Sequence, residues 1–400
     1  MEDKEYLARD IVPEVVPVKS PSLKHLLMDI DFMIPKDIRA AVSLLRSSPN
    51  LENRTMQQKL IDGSFSYQGG KFKELVLVFW ESNTEQYKLT SNFFSLQYLH
   101  SLWLCQCAFT LPPEFEGFRH LQTLYLEMIN MTDSIFECLI SKCPLLQKLE
   151  LINFYGCSCL KINAPNLRYL NLDGEFEDII FKDNAVLSTV TIGLRQQLED
   201  DKSKKLIDLS RSLPLIKSFE LKSYFLEYLG VENVPDGLPG VNTSLKFLSV
   251  SLHFRNPKEV TALICMLLWS PNLERLELIS LGVNKVPVGV PVSACLKFLS
   301  VQIGFGNPRE VMAVICMLQW SPNLEELEMY VLKDDIRDYP EDFNHFSYSF
   351  DKLELIKLNN FSGVELISKS FKACMNHIQS HVFSFSIYVI SLLEGAGGIE

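Results

Sequence analysis

Positive charge is scarce in this chain of 400 residues: 38 lysines and arginines stand against 49 aspartates and glutamates, a net charge of −11. Binding to phosphate-rich partners normally requires a basic face. No run of lysine and arginine offsets the deficit, so neither DNA nor RNA is an expected partner. CxxC pairs are also missing. Of ten cysteines, Cys105/Cys107 and Cys157/Cys159 are spaced CxC with no matching second pair, a poor pattern for zinc. Cys265 and Cys316 recur inside one apolar helical pattern and read as buried reduced thiols, which argues for the cytoplasm or nucleus over a disulfide-forming compartment. The charged start, MEDKEYLARDIVPE, lacks the apolar core of a secretory signal. The apolar tail Val382–Leu393 is 12 residues long with serines inside it, too short to span a bilayer.

Motifs of catalysis are absent too. There is no GxxxxGK[ST], no GxGxxG after a strand, no GxSxG and no HExxH, so no enzyme activity, cofactor or metal is expected. His377 and His381 lie four apart without an acidic residue between them, and read as a solvated pair rather than metal ligands.

What the chain does contain is itself. LKFLSVSLHFRNPKEVTALICMLLWSPNLERLE (Leu245–Glu277) returns 51 residues later as LKFLSVQIGFGNPREVMAVICMLQWSPNLEELE (Leu296–Glu328), with 24 of 33 positions identical. A third copy, Leu23–Glu52, lies 222 residues before the first and shares 13 of 30 positions. Such self-similarity marks a repeat architecture. Each unit reads as a strand, an Asn-Pro turn, an amphipathic helix, and a Ser-Pro-Asn that stops the helix before the next strand.

One template, LxxLxL with aliphatic or aromatic substitutes, runs along nearly everything. It starts at Phe72, Leu99, Leu121, Leu146, Leu167, Leu187, Ile216, Leu245, Leu273, Leu296, Leu324 and Leu353, at spacings of 20 to 29 residues. That is the window of leucine-rich repeats. The paired leucines of LxL point to one face of a short strand. One unit cannot bury that face alone, so successive strands should stack in parallel. The expected fold is α/β, a leucine-rich-repeat solenoid with a curved parallel sheet and irregular helices and loops behind it. Arg309–Trp320 has helical spacing after a cap-like Asn307-Pro308, whereas the short unit Leu167–Val186 has room only for a turn or short strand. Pro144, Pro165, Pro214, Pro271 and Pro322 each precede a template and stop a helix or set an extended approach.

RHLQTLYLEMINMTDSIFECLISKCPLLQKLELINFYGCSCLKINAPNLRYLNLDGEFEDIIF resembles the plant F-box/FBD/LRR-repeat proteins. KELVLVFWESNTEQYKLTSNFFSLQYLHSLWLCQCAF is similar to that family's first repeats, and FDKLELIKLNNFSGVEL to the opening of its FBD domain. The resemblance covers roughly Lys71–Leu366. It implies that the repeats present a protein target for ubiquitination, while an F-box docks on the Skp adaptor of a cullin-type ligase.

Three departures qualify this. Residues 1–70 show no F-box pattern and no tryptophan; instead Glu5–Leu26 aligns with Glu227–Leu248. A module is duplicated, and the tail after Ser368 leaves the FBD pattern. The expected organisation is a partial duplicate at 1–56, repeats over 71–332 with the duplication 245–285/296–336, an FBD-like segment at 340–368 and a divergent tail at 369–400. A chain so organised is expected to bind a protein target without docking the Skp adaptor itself. A hormone-like small-molecule sensor, or a degenerate duplicate without function, are the other readings.

The residue between the paired leucines points away from the core. In order these are Val76, Trp103, Tyr125, Glu150, Asn171, Thr191, Glu220, Ser249, Glu277, Ser300, Glu328 and Lys357. Trp103 and Tyr125 are neighbouring aromatics of the kind enriched at binding hot spots. Glu150, Glu220, Glu277 and Glu328 give an acidic bias that suits a basic protein segment. Cys107 falls at the asparagine-or-cysteine position of its repeat, where the side chain caps backbone after the strand. Trp269 and Trp320 recur in the duplicated helix and read as core.

Overall fold

The computed structural model describes residues 25–31, 53–59, 73–80, 87–89, 93–94, 96–108, 110–196, 205–213, 215–230, 241–252, 256–279, 294–304, 308–319, 321–332, 352–360 and 386–390. Two compact units divide the chain, Met1–Leu187 and Ser188–Glu400.

Unit 1 runs β1 (His25–Asp31), β2 (Asn53–Lys59), β3 (Glu74–Trp80), β4 (Tyr87–Lys88), β5 (Ser101–Cys105), β6 (Cys107–Ala108), β7 (Thr123–Glu127), α1 (Asp133–Ser141), β8 (Lys148–Phe154), β9 (Cys159–Asn163), β10 (Tyr169–Gly174) and β11 (Asp178–Lys182). Its main sheet is parallel throughout, in the order β1-β2-β3-β5-β7-β8-β10. The returns form short parallel pairs of their own, β4 with β6 and β9 with β11.

Unit 2 runs β12 (Thr189–Leu194), α2 (Lys205–Ser212), β13 (Ser218–Ser223), α3 (Phe225–Tyr228), β14 (Phe247–Ser251), α4 (Pro257–Trp269), β15 (Arg275–Ile279), β16 (Phe298–Ile303), α5 (Pro308–Gln319), β17 (Glu326–Val331), β18 (Leu355–Asn359) and β19 (Ser386–Ile390). Its strands pair in chain order from β12 to β19, again in parallel.

Both units are built on the expected leucine-rich-repeat plan. All paired template residues, from Leu75/Leu77 to Ile356/Leu358, are buried, as are the leading residues from Leu99 to Leu353; Phe72 lies outside the described residues. A fully buried leucine contributes about 1.5–3 kcal/mol, and stacking hides each strand's leucines against the next. A recurrent hydrogen bond fixes the spacing. The Lys73 carbonyl accepts from the amides of both His100 and Ser101 (2.7 and 2.9 Å), the His100 carbonyl from Gln122 and Thr123, and the Gln122 carbonyl from Gln147 and Lys148. Unit 2 repeats it, with Lys217, Lys246 and Glu274 as acceptors.

The duplicated helix is α4 and its copy α5. Asn256 caps α4, its side chain accepting from the Lys258 amide at 3.1 Å ahead of Pro257. The short unit after Leu167 returns through β11, a strand as its length predicts. Two strands escape the template. β2 is NRTMQQK and β19 is SIYVI, and both pair in parallel register with neighbours whose sequences do match. No helix among the described residues is long and apolar enough to cross a membrane.

Candidate protein-binding surface

Period-two alternation and parallel register together decide which side chains share the open face of each sheet. In unit 1, Val76 is aligned with Trp103, Trp103 with Tyr125, Tyr125 with Glu150, and Glu150 with Asn171. In unit 2 the aligned row is Thr191, Glu220, Ser249, Glu277, Ser300, Glu328 and Lys357. Within each unit, then, the central positions of LxL fall into one row.

Trp103 is 39 % exposed, and its ring meets Tyr125 edge-on at a centroid distance of 4.7 Å and 60°. The Tyr125 hydroxyl donates to Glu127 Oε2 at 3.2 Å. Burial first, then the Glu127 and Glu150 carboxylates, push the Tyr125 phenol up to about 12. The Cys105 thiol, aligned with Glu127, is pushed up to about 11, mainly by burial and then by the Glu127 carboxylate. Glu127 and Cys105 are aligned with each other and lie two residues beyond Tyr125 and Trp103, so they share the face. The same alternation that selected Trp103 and Tyr125 points to them, once the strand is followed one residue pair beyond LxL.

The four glutamates are each engaged by the chain itself. Glu150 binds Lys148 at 2.7 Å and accepts from Asn171 at 3.1 Å. Glu220 meets Lys222 at 3.4 Å and accepts from Thr191 at 3.1 Å. Glu277 takes both Nε and Nη2 of Arg275, at 2.9 and 2.8 Å, and Glu328 accepts from Asn359 at 2.7 Å. In unit 2 small hydroxyl residues alternate with the glutamates, and Thr191, Ser249 and Ser300 are buried beside them. The cations were not legible as partners: Lys148, Lys222 and Arg275 sit two residues from their glutamates on the same strand, a spacing that in a strand, unlike a helix, places side chains side by side.

The remaining candidates are structural. Cys107 is fully buried, with its thiol pushed up by burial, and no hydrogen bond of that thiol is found among the described residues. Cys157 makes such a bond, donating to the Met131 carbonyl at 3.3 Å. Trp269, the last residue of α4, is buried, as expected of core, whereas Trp320, His377 and His381 lie outside the described residues. Among the described residues no group of three or more His, Cys, Asp or Glu can hold a metal ion.

Comparison with known proteins places this architecture. A family model described as the LRR repeats of the FBD-associated F-box protein At5g56370 matches residues 67–278, more than half of the chain. The F-box/FBD/LRR-repeat protein At1g13570 of Arabidopsis thaliana is 32 % identical over 222 residues, which cover 54 % of this chain and 52 % of that protein. The chain thus spans about half the length of that relative. With its parallel strands, buried LxL pairs and this match, the chain belongs to the LRR-repeat family of the FBD-associated F-box proteins.

Proposed function

We propose that the chain is a non-enzymatic protein-interaction module, the substrate-recognition part of a ubiquitin-ligase receptor, whose target docks on the open face of unit 1. The observation that carries this is the Trp103–Tyr125 pair. Trp103 is 39 % exposed on a sheet strand, its ring in edge contact with a neighbouring ring. Exposed tryptophan and tyrosine on an ordered scaffold lose little conformational freedom on binding and are enriched among residues that dominate binding energy. Family membership supports the wider role, since F-box relatives pair a recognition module with a ligase-docking element. Glu150, Glu220, Glu277 and Glu328 are secondary contacts in this reading, since each already has an internal partner.

Residues 1–70 carry no F-box pattern, so docking on the Skp adaptor is not assigned to them. Affinity purification of the tagged full-length chain from plant cells, beside a Trp103→Ala/Tyr125→Ala variant, tests both parts. A partner retained by the wild type and lost from the variant is the expected result. Equal recovery by both chains overturns the role of this face. Recovery of the Skp adaptor and a cullin overturns the reading that the chain does not dock the adaptor itself.

A further inference from the structure

Three constellations of aromatic ring and carboxylate stand out among the described residues, and in two of them the chain supplies its own cation. Lys148 Nζ lies 4.9 Å from the Tyr169 ring centroid and 2.7 Å from Glu150. Arg275 Cζ lies 3.6 Å from the Phe298 centroid, with its Nη2 2.8 Å from Glu277. The physics is common to both: the ring's negative face attracts the cation while the carboxylate accepts its N–H groups.

The third is Trp103, Tyr125 and Glu127. Here the donor to the carboxylate, the Tyr125 hydroxyl, is neutral, and the residue aligned with Glu127 is the uncharged Cys105. Among the described residues no lysine, arginine or histidine pairs with Glu127, and Lys148 of the adjoining strand β8 is engaged by Glu150. Glu127 is half-buried, which strengthens any charge pairing made there, and Trp103, diagonal to it across β5 and β7, is exposed. The upward push on the Tyr125 phenol comes in part from these two carboxylates, as a locally negative field requires.

We propose that Trp103, Tyr125 and Glu127 form a recognition site for a single arginine side chain of the partner polypeptide, the guanidinium lying on the indole and pairing with the Glu127 carboxylate. This rests on the reading of the unit 1 face as a docking surface and adds its chemistry. Arginine suits the site better than lysine because a planar guanidinium stacks on an aromatic face and presents parallel N–H donors to a carboxylate at once.

The test uses the full chain and immobilised glycine-serine peptides that carry arginines, lysines or citrullines at the same positions. The arginine peptide should bind, the lysine peptide more weakly and the neutral citrulline peptide not measurably. Glu127→Gln and Trp103→Ala should each weaken arginine-peptide binding by about tenfold, while Trp103→Phe, which keeps a ring in place, should recover part of it. Glu137→Gln on α1 removes one negative charge away from the face and should leave binding unchanged, with far-UV circular dichroism checking the fold of every variant. Equal losses in Glu127→Gln and Glu137→Gln, or equal binding of arginine and citrulline peptides, would overturn the site. A cellular target lost in Trp103→Ala but untouched by Glu127→Gln keeps the docking face and sinks the arginine site alone; a target untouched by Trp103→Ala sinks the docking face itself.

Discussion

The guanidinium of Arg275 stacks on the ring of Phe298, one strand away, with its carbon 3.6 Å from the ring centroid, and binds Glu277 on its own strand through Nε and Nη2. Sheet register makes this possible, because Arg275 and Phe298 are aligned across β15 and β16.

Replacing Arg275 with alanine should destabilise unit 2 by about 1 kcal/mol, since both the stacking and the ion pair are partly solvated and screened. Lysine should recover only part of this, because an ammonium group cannot stack flat and donate in parallel. Denaturant titrations compare the three chains, and a lysine variant as stable as the wild type would refute the stacking.

Neighbouring residues on β8 should behave in opposite ways. Leu149 is fully buried between adjoining strands, so Leu149→Ala should destabilise unit 1 by about 2–5 kcal/mol. Glu150→Gln, on the open face, keeps the shape and the amide contact with Asn171 and loses only a surface ion pair with Lys148, an effect of at most about 1 kcal/mol. Thermal unfolding of the two variants checks the contrast.

Gly117 has a φ of +98°, and a Cβ built there would lie 2.1 Å from the Lys142 carbonyl oxygen. Backbone cannot retreat as a flexible side chain can. Gly117→Ala should therefore destabilise by roughly 2 kcal/mol or more, from the left-handed conformation and the clash together. An alanine variant that melts with the wild type would show that the turn relaxes freely.

Thiol chemistry should separate the cysteines. Burial pushes Cys105, Cys143 and Cys265 up to about 11 and Cys157 up to about 12, so near pH 8 each stays a protonated thiol, and the thiolate is the reactive form. The folded chain should alkylate slowly at these four and at the fully buried Cys107. Among the described cysteines, the half-buried Cys138, Cys159 and Cys295 should label before these. Peptide mass spectrometry before and after unfolding reads the order; rapid native labelling of Cys157 would contradict its burial.

The repeat plan was written in the chain because it depends only on local periodicity. LxL places two leucines on one face of any strand, so the positions of Leu102/Leu104 or Leu276/Leu278 in the core, and of Trp103 and Tyr125 on the open face, follow from spacing alone. Asn256 and Pro257 likewise announce the start of α4 because capping involves only the next residues. Tertiary structure decided what local pattern cannot contain. Strand NRTMQQK has little apolar alternation and takes its place through backbone bonds to β1 and β3. The acidic row read from the sequence proved to be carboxylates already engaged, because Asn171 reaches Glu150 from 21 residues away and Asn359 reaches Glu328 from 31. Glu127 shares the face of Tyr125 by alternation along β7, but only the parallel register of β5 and β7 decides that Cys105 lies opposite it. Leucine spacing determines which face a residue occupies; the strand register, set by returns of unequal length, determines whom it meets there.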